Sequence, residues 1–355
     1  MKWSFRWYGK DDNIPIEHIR QIPQMHGVVG TLLNKLPGDV WEIEEIEALK
    51  KQVNEAGLEL HGIESVSVHD AIKAGTAERD QYIANYIQTI RNLGQCGVKV
   101  ICYSFKPVFG WLKTDLNYQF EDGSYGLVFD QSVIDGMEPT EVFNHVQKQT
   151  GGFKLSGWEK ERLDKFERLT KMYEGITEEQ LFENYKYFIE SIIDACEEAD
   201  VYLAVHQDDP PWEIFGWPRI TKNAEDLRRI LSITDSKHHG LTICTGSLGA
   251  DPNNDIPAII REMGDRINFV HFRNVRYLGD KHFAEVAHYS PEGSLDMAEI
   301  MKALVEVGYD GIIRPDHGRA IWGEVCRPGY GLYDRAIGIG YMQGLYEMCK
   351  KQLAE

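Results

Sequence analysis

The stretch TEEQLFENYKYFIESIIDACEEADVYLAVHQDDPP, residues 177–211, sets one helix and one strand in immediate succession. Residues 178–199 read as an amphipathic helix, and Thr177 with Gln180 makes a capping-box pattern at its start. Val201-Tyr-Leu-Ala-Val-His206 follows as an apolar run of strand length that ends in histidine. Gln207-Asp-Asp-Pro-Pro211 continues it into a rigid, acidic loop. The same alternation recurs in both directions. Strands are expected at 4–8, 28–33, 58–64, 99–105, 201–206, 241–245, 267–272 and 311–315. Helices are expected at 42–56, 78–95, 178–199, 223–234, 255–264, 295–307 and 331–353, with a short connection near 15–24. Gly57, Gly97 and Gly308 stand just past helix ends, where glycine stops a helix. So many β/α units in one chain argue for a closed barrel over an open sheet. An open doubly wound sheet would usually carry a glycine-rich phosphate turn, and the sequence has neither G-x-G-x-x-G nor a P-loop. The expected fold class is therefore α/β, a single (β/α)8 TIM barrel over residues 1–355.

Residues 107–176 break the rhythm between the fourth strand and its helix, and are far longer than an ordinary βα loop. Within them, 118–129 contains Asp122-Gly123 between apolar residues, a hairpin signal, and 158–173 reads as helical and highly charged. An insertion at the fourth strand leaves from the C-terminal face, where barrel active sites are built. It reads as a lid or an oligomer contact, and the chain is expected to work as a homo-oligomer, a dimer.

With 43% hydrophobic residues the chain can bury a large core. Its formal net charge is −18, from 56 acidic and 38 basic side chains, which opposes binding to nucleic acid or to an anionic membrane surface. Neither a signal-peptide stretch nor an apolar run of membrane-spanning length is present. Six scattered cysteines, at 96, 102, 196, 244, 326 and 349, read as reduced thiols. Together these features point to a cytoplasmic protein acting on a small molecule.

Four strands in the second half end in residues that can hold a metal. His206 ends the first, Cys244 ends Leu241-Thr-Ile-Cys244, His271 ends Ile267-Asn-Phe-Val-His271, and Asp316 follows Ile312-Ile-Arg-Pro. Singly each has a plain structural explanation: a bonded histidine, a small core thiol, a turn aspartate. The C-terminal ends of neighbouring barrel strands converge on one mouth, so the four together make a set for a transition-metal dication. Asp208 or Asp209 could fix an imidazole, or simply form a solvated turn. His317, next to Asp316, is held near the metal and suits a general acid or base. Arg273 shares a strand side with His271 and suits a carboxylate, with Arg6, beside Trp7 and Tyr8, as a second candidate. Glu64 closes the third strand, where a carboxylate is hard to explain as packing.

The segments Arg6-Trp-Tyr-Gly9, Gly27-Val-Val-Gly30, Glu64-Ser-Val66, Ala84-Asn-Tyr86, Gln95-Cys-Gly97, Cys102-Tyr103, Asp208-Asp-Pro-Pro211, Cys244-Thr-Gly-Ser247, Arg314-Pro-Asp-His-Gly318 and Pro328-Gly-Tyr330 resemble those of the mannonate dehydratase family. The resemblance runs from the first strand to the last helix. The chain departs from it at Gln207, where proline is familiar, and at Ser104, where asparagine is. The resemblance implies a xylose-isomerase-like barrel that uses manganese or ferrous iron. It implies a lyase converting D-mannonate to 2-keto-3-deoxy-D-gluconate with loss of water, in hexuronate (glucuronate) catabolism. It also implies His206, Cys244, His271 and Asp316 as metal ligands and His317 and Tyr330 as proton-transfer groups. The residues themselves offer Arg6, Trp7, Glu64 and Arg273 as the substrate-binding set. Rival readings are a metal-dependent sugar isomerase or epimerase, expected to present more carboxylate ligands, and an endonuclease, which the charge opposes. A binding protein with a structural zinc would also use four protein ligands, but the adjacent His317 and the arginines favour catalysis.

Overall fold

In a computed structural model, which describes residues 1–153 and 166–353, the chain forms twelve strands: β1 (Lys2–Arg6), β2 (Gly27–Gly30), β3 (Glu59–Glu64), β4 (Val100–Tyr103), β5 (Asp115–Gln119), β6 (Tyr125–Asp130), β7 (Tyr202–Val205), β8 (His239–Cys244), β9 (Ile267–Phe272), β10 (Asn274–Gly279), β11 (His282–Val286) and β12 (Ile312–Pro315). Eight of them close into a barrel in the order β1-β12-β9-β8-β7-β4-β3-β2, every neighbouring pair parallel. These are the strands the sequence pattern indicates, five of them one to three residues shorter and β8 one residue longer than expected. The helices Ile43–Glu55, Arg79–Gln95, Glu178–Ala199, Ala224–Leu231, Ile256–Met263, Met297–Glu306 and Tyr333–Gln352 lie between and after them.

Local signals act as their chemistry requires. The Thr177 hydroxyl accepts from the Gln180 amide, and the Gln180 side chain accepts from the Thr177 amide. The helix they start buries Leu181, Tyr185, Phe188, Ile189 and Ile192 against the barrel, each side chain contributing about 1.5–3 kcal/mol of apolar burial. Gly57 and Gly97 each take φ of 74°, a left-handed value that ends the preceding helix. Inside the barrel, Val29, Cys102, Ala204, Phe269 and Ile312 pack into one layer, and the open mouth lies above it.

The excursion after β4 is tied to the barrel by backbone pairing. β5 and β6 form a hairpin about Asp122-Gly123, and β6 pairs antiparallel with β11 in a second sheet of order β10-β11-β6-β5. The β10–β11 hairpin, inserted straight after β9, has no counterpart in the sequence-based expectations. Of the helix expected at 158–173, Phe166–Met172 is helical, and 158–165 lies outside the described residues.

Candidate active site

Register brings the strand ends together. β8 pairs with β9 so that Cys244 stands opposite His271, and β9 pairs with β12 so that His271 stands opposite Arg314, two residues before Asp316. His206 lies one residue beyond β7. The ligand atoms of His206, Cys244 and His271 all lie within 4.8 Å of one another. Asp316 adjoins two of them, its oxygens 3.5 Å from Cys244 Sγ and 3.6 Å from His271 Nδ1. Burial, helped by Lys106 and His271, holds the His206 imidazole well below its usual range; burial and Arg314 lower His271. Both are thus neutral, the form that binds metal. Burial pushes the Cys244 thiol up to about 12, so a cation would be needed to draw off its proton.

The donors fit a dication. His271 is 1% exposed, yet neither ring nitrogen makes an aligned hydrogen bond, although Glu64 Oε2 lies 3.3 Å from Nε2. Buried polar atoms are normally partnered. The His206 Nδ1–H donates to the Gln207 carbonyl at 2.7 Å, which leaves Nε2 free to ligate. A second group, Glu64, Cys102 and His271, is equally close. There, however, Arg314 takes both Glu64 oxygens, at 2.7 and 3.0 Å, so that group reads as an ion-paired wall.

Beside the donors runs a line of proton-carrying groups. Glu285 Oε2 accepts from His317 Nδ1 at 2.7 Å, and His317 Nε2 lies 3.0 Å from the Tyr330 hydroxyl. A carboxylate can only accept, so His317 Nδ1 carries a proton toward Glu285, with Arg273 3.0 Å from the same nitrogen. Burial would raise the Glu285 carboxyl, but Arg273, His317 and Lys113 bring it below its ordinary value. Burial raises the Tyr330 phenol well above its usual value, with Tyr8 and Asp316 adding to the effect, so it rests as a hydroxyl. Burial likewise works against an ionised Asp316, yet His317, His271, Arg314 and Arg273 together hold it well below the usual carboxylate range. His206, Asp316, His317 and Tyr330 line one cavity together with Arg6, Tyr8, Lys106 and Trp111.

The family model described as D-mannonate dehydratase (UxuA) matches residues 1–355, the whole chain. The chain belongs to the mannonate dehydratase family. A mannonate dehydratase of Enterococcus faecalis is 64% identical over 351 residues, covering 99% of this chain and 98% of that one. One from Thermotoga neapolitana is 52% identical over 354 residues, covering 99% and 98%. The crystal structure of mannonate dehydratase from Streptococcus suis serotype 2 superposes with a TM-score of 0.91 at 43% identity, covering 100% of this chain and 96% of that one. A D-tagatose 3-epimerase-like protein, at 13% identity and a TM-score of 0.53, shares the fold.

Within this mannonate dehydratase framework, the sequence-derived residues fare differently. His206, Cys244, His271, Asp316, His317 and Tyr330 converge, and Arg6 and Glu64 line the same cavity. Trp7 does not line it. Successive strand residues face opposite sides, so turning Arg6 inward sends Trp7 into the core against a separate surface cleft. Arg273 does reach the cavity wall, but its guanidinium is taken by Asp209 at 2.9 Å, Glu285 at 3.0 Å, Ser247 at 2.9 Å and Asp316 at 3.2 Å. Neither Asp208 nor Asp209 bonds an imidazole: Asp208 accepts from the Thr221 amide and hydroxyl, and Asp209 binds Lys113 and Arg273. Sequence reasoning missed Glu285, Lys113 and Lys106. Only the alternation in His282-Phe-Ala-Glu-Val286 offered a signal for the first.

Proposed function

We propose that the protein is a hydro-lyase converting D-mannonate to 2-keto-3-deoxy-D-gluconate and water, with Mn2+ or Fe2+ held by His206, Cys244, His271 and Asp316. The observation that carries this reading is the juxtaposition of a converging, buried donor set, in which neither His271 nitrogen has an aligned hydrogen bond, with the Glu285–His317–Tyr330 line, Asp316 and His317 being adjacent residues. The C2 proton of an aldonate is weakly acidic, because its removal adds a second negative charge beside the carboxylate. A bound dication supplies electrostatic stabilisation of that charge. The His317–Tyr330 pair takes the C2 proton and returns one to the C3 hydroxyl, which leaves as water; the enol then relaxes to the 2-keto acid. Glu285 fixes the His317 tautomer so that Nε2 faces Tyr330. Arg6, with no carboxylate within 4.0 Å among the described residues, contacts the substrate, while Arg273 holds the catalytic groups in place.

Gly110 and Trp111 bring the excursion onto the cavity wall, which supports reading residues 107–176 as a lid. Trp322 and Val325, 77% and 82% exposed on the loop before Tyr330, support a homodimer. Light scattering at twice the 40.7 kDa chain mass checks that state. Among the described residues no helix is long and apolar enough to cross a membrane. The activity itself is tested by incubating the protein and Mn2+ with D-mannonate and identifying the product by mass and NMR. Loss of one water to the 2-keto-3-deoxy acid is expected, with neutral mannose and fructose untouched. Interconversion of those neutral sugars without dehydration would refute the reading.

A further inference from the structure

Lys106 lies three residues beyond β4, is 3% exposed and lines the cavity. Its ammonium stands 3.2 Å from His206 Nδ1. That nitrogen already carries a proton for the Gln207 carbonyl, so it offers Lys106 no lone pair. Arg6, also buried at the mouth, likewise lacks a carboxylate within 4.0 Å among the described residues, whereas three other cations are neutralised at contact distance. Lys113 meets Asp209 at 2.6 Å and Glu285 at 3.3 Å, Arg314 meets Glu64 at 2.7 Å, and Arg273 meets three carboxylates. Among the described residues no carboxylate comes within 4.0 Å of Lys106. An ammonium held out of water without acceptors destabilises a fold, so an acceptor brought by a ligand is the partner that justifies it.

The barrel order says which part of a ligand that is. Around the mouth, β4 is followed by β7, β8, β9 and β12, so β4 stands across the barrel from the strand that leads into Asp316 and His317. The donors from β7, β8 and β9 lie between them. Resting on the dehydratase reading, a substrate whose C2 and C3 face the His317–Tyr330 pair must point its carboxylate the other way round the mouth. We propose that Lys106 binds the carboxylate of the sugar acid and so selects aldonates over neutral polyols. Arg6, on β1 beyond β12, then serves the hydroxylated tail. A cation at the carboxylate also stabilises the charge that grows there as the C2 proton leaves, so it acts in the transition state as well as in binding.

The test is calorimetric binding of D-mannonate and of neutral D-mannitol to the Mn2+-loaded protein, for wild type, Lys106→Met and Lys106→Arg. Losing a charge-assisted hydrogen bond predicts roughly a 10- to 100-fold weaker mannonate Kd in Lys106→Met, with mannitol binding and metal content unchanged. Turnover should fall with it, and Lys106→Arg should recover much of the loss. Removing an unpaired buried charge should leave the Tm of Lys106→Met equal to or above that of wild type. An unchanged mannonate Kd, a parallel loss for mannitol, a loss of bound Mn2+ or a fall in Tm would each overturn the proposal. Wild-type protein that neither bound nor dehydrated mannonate would instead bring down the function on which it rests.

Discussion

His317 sits between a carboxylate at 2.7 Å and a phenol at 3.0 Å, and this placement gives the two residues separate tests from those of the metal donors. Tyr330→Phe and His317→Asn should each lower kcat by about two to four orders of magnitude, as loss of a positioned acid or base does. Metal content and fold should stay intact in both. A variant that lost its metal together with its activity would show that a ligand had been mistaken for a proton carrier. Arg273 behaves otherwise. Arg273→Ala leaves Asp209, Glu285 and Asp316 without their shared cation, and breaking a buried pair costs about 3–5 kcal/mol. A sharply lowered Tm is expected, and a variant that kept its Tm and only raised KM would restore Arg273 as the substrate clamp. The convergence of His206, Cys244, His271 and Asp316 was legible because a ligand-type side chain at each of four successive barrel-strand ends is visible in one dimension. Which cation pairs with which carboxylate was not, since the partners of Arg273 lie 12 to 64 residues away.

The barrel strands and the helices around them announced themselves through apolar runs, capping residues and glycines. The β10–β11 hairpin did not, because it turns a charged residue inward: Glu285 is 3% exposed, and a lone glutamate in a short strand reads as solvent-facing until Arg273, Lys113 and His317 are seen around it. The turn after β8 shows a similar dependence. Cys244-Thr-Gly-Ser247 crosses directly over Arg273, and a Cβ added at Gly246 would lie 2.0 Å from the guanidinium Nε. That is far inside contact distance, and Arg273 is pinned on its other sides. Gly246→Ala should therefore displace Arg273, lowering both Tm and kcat. Unchanged thermal melting and kinetics in that variant would mean that the network has slack the distances do not suggest.

At the scale of the whole molecule, acid should loosen the fold through buried imidazoles. Burial, only partly offset by Glu59, lowers His61 to about 4, and its side chain is 5% exposed. An unfolded histidine titrates near about 6.5, so the unfolded chain takes up the proton first as pH falls. Stability is complete above that value and declines between about 6.5 and 4. His61→Gln should flatten this part of a urea-midpoint profile against pH, and an identical slope in wild type and variant would assign the decline to other groups.

The chain carries a net charge of −18, yet its mouth gathers cations and metal-type donors at one place, and the account rests on a metal completing that arrangement. The most direct measurement is D-mannonate turnover by protein stripped with chelator and titrated back with Mn2+, with metal content read alongside. The account predicts no activity without metal and full recovery at one equivalent per chain, and full activity in the stripped protein would contradict it.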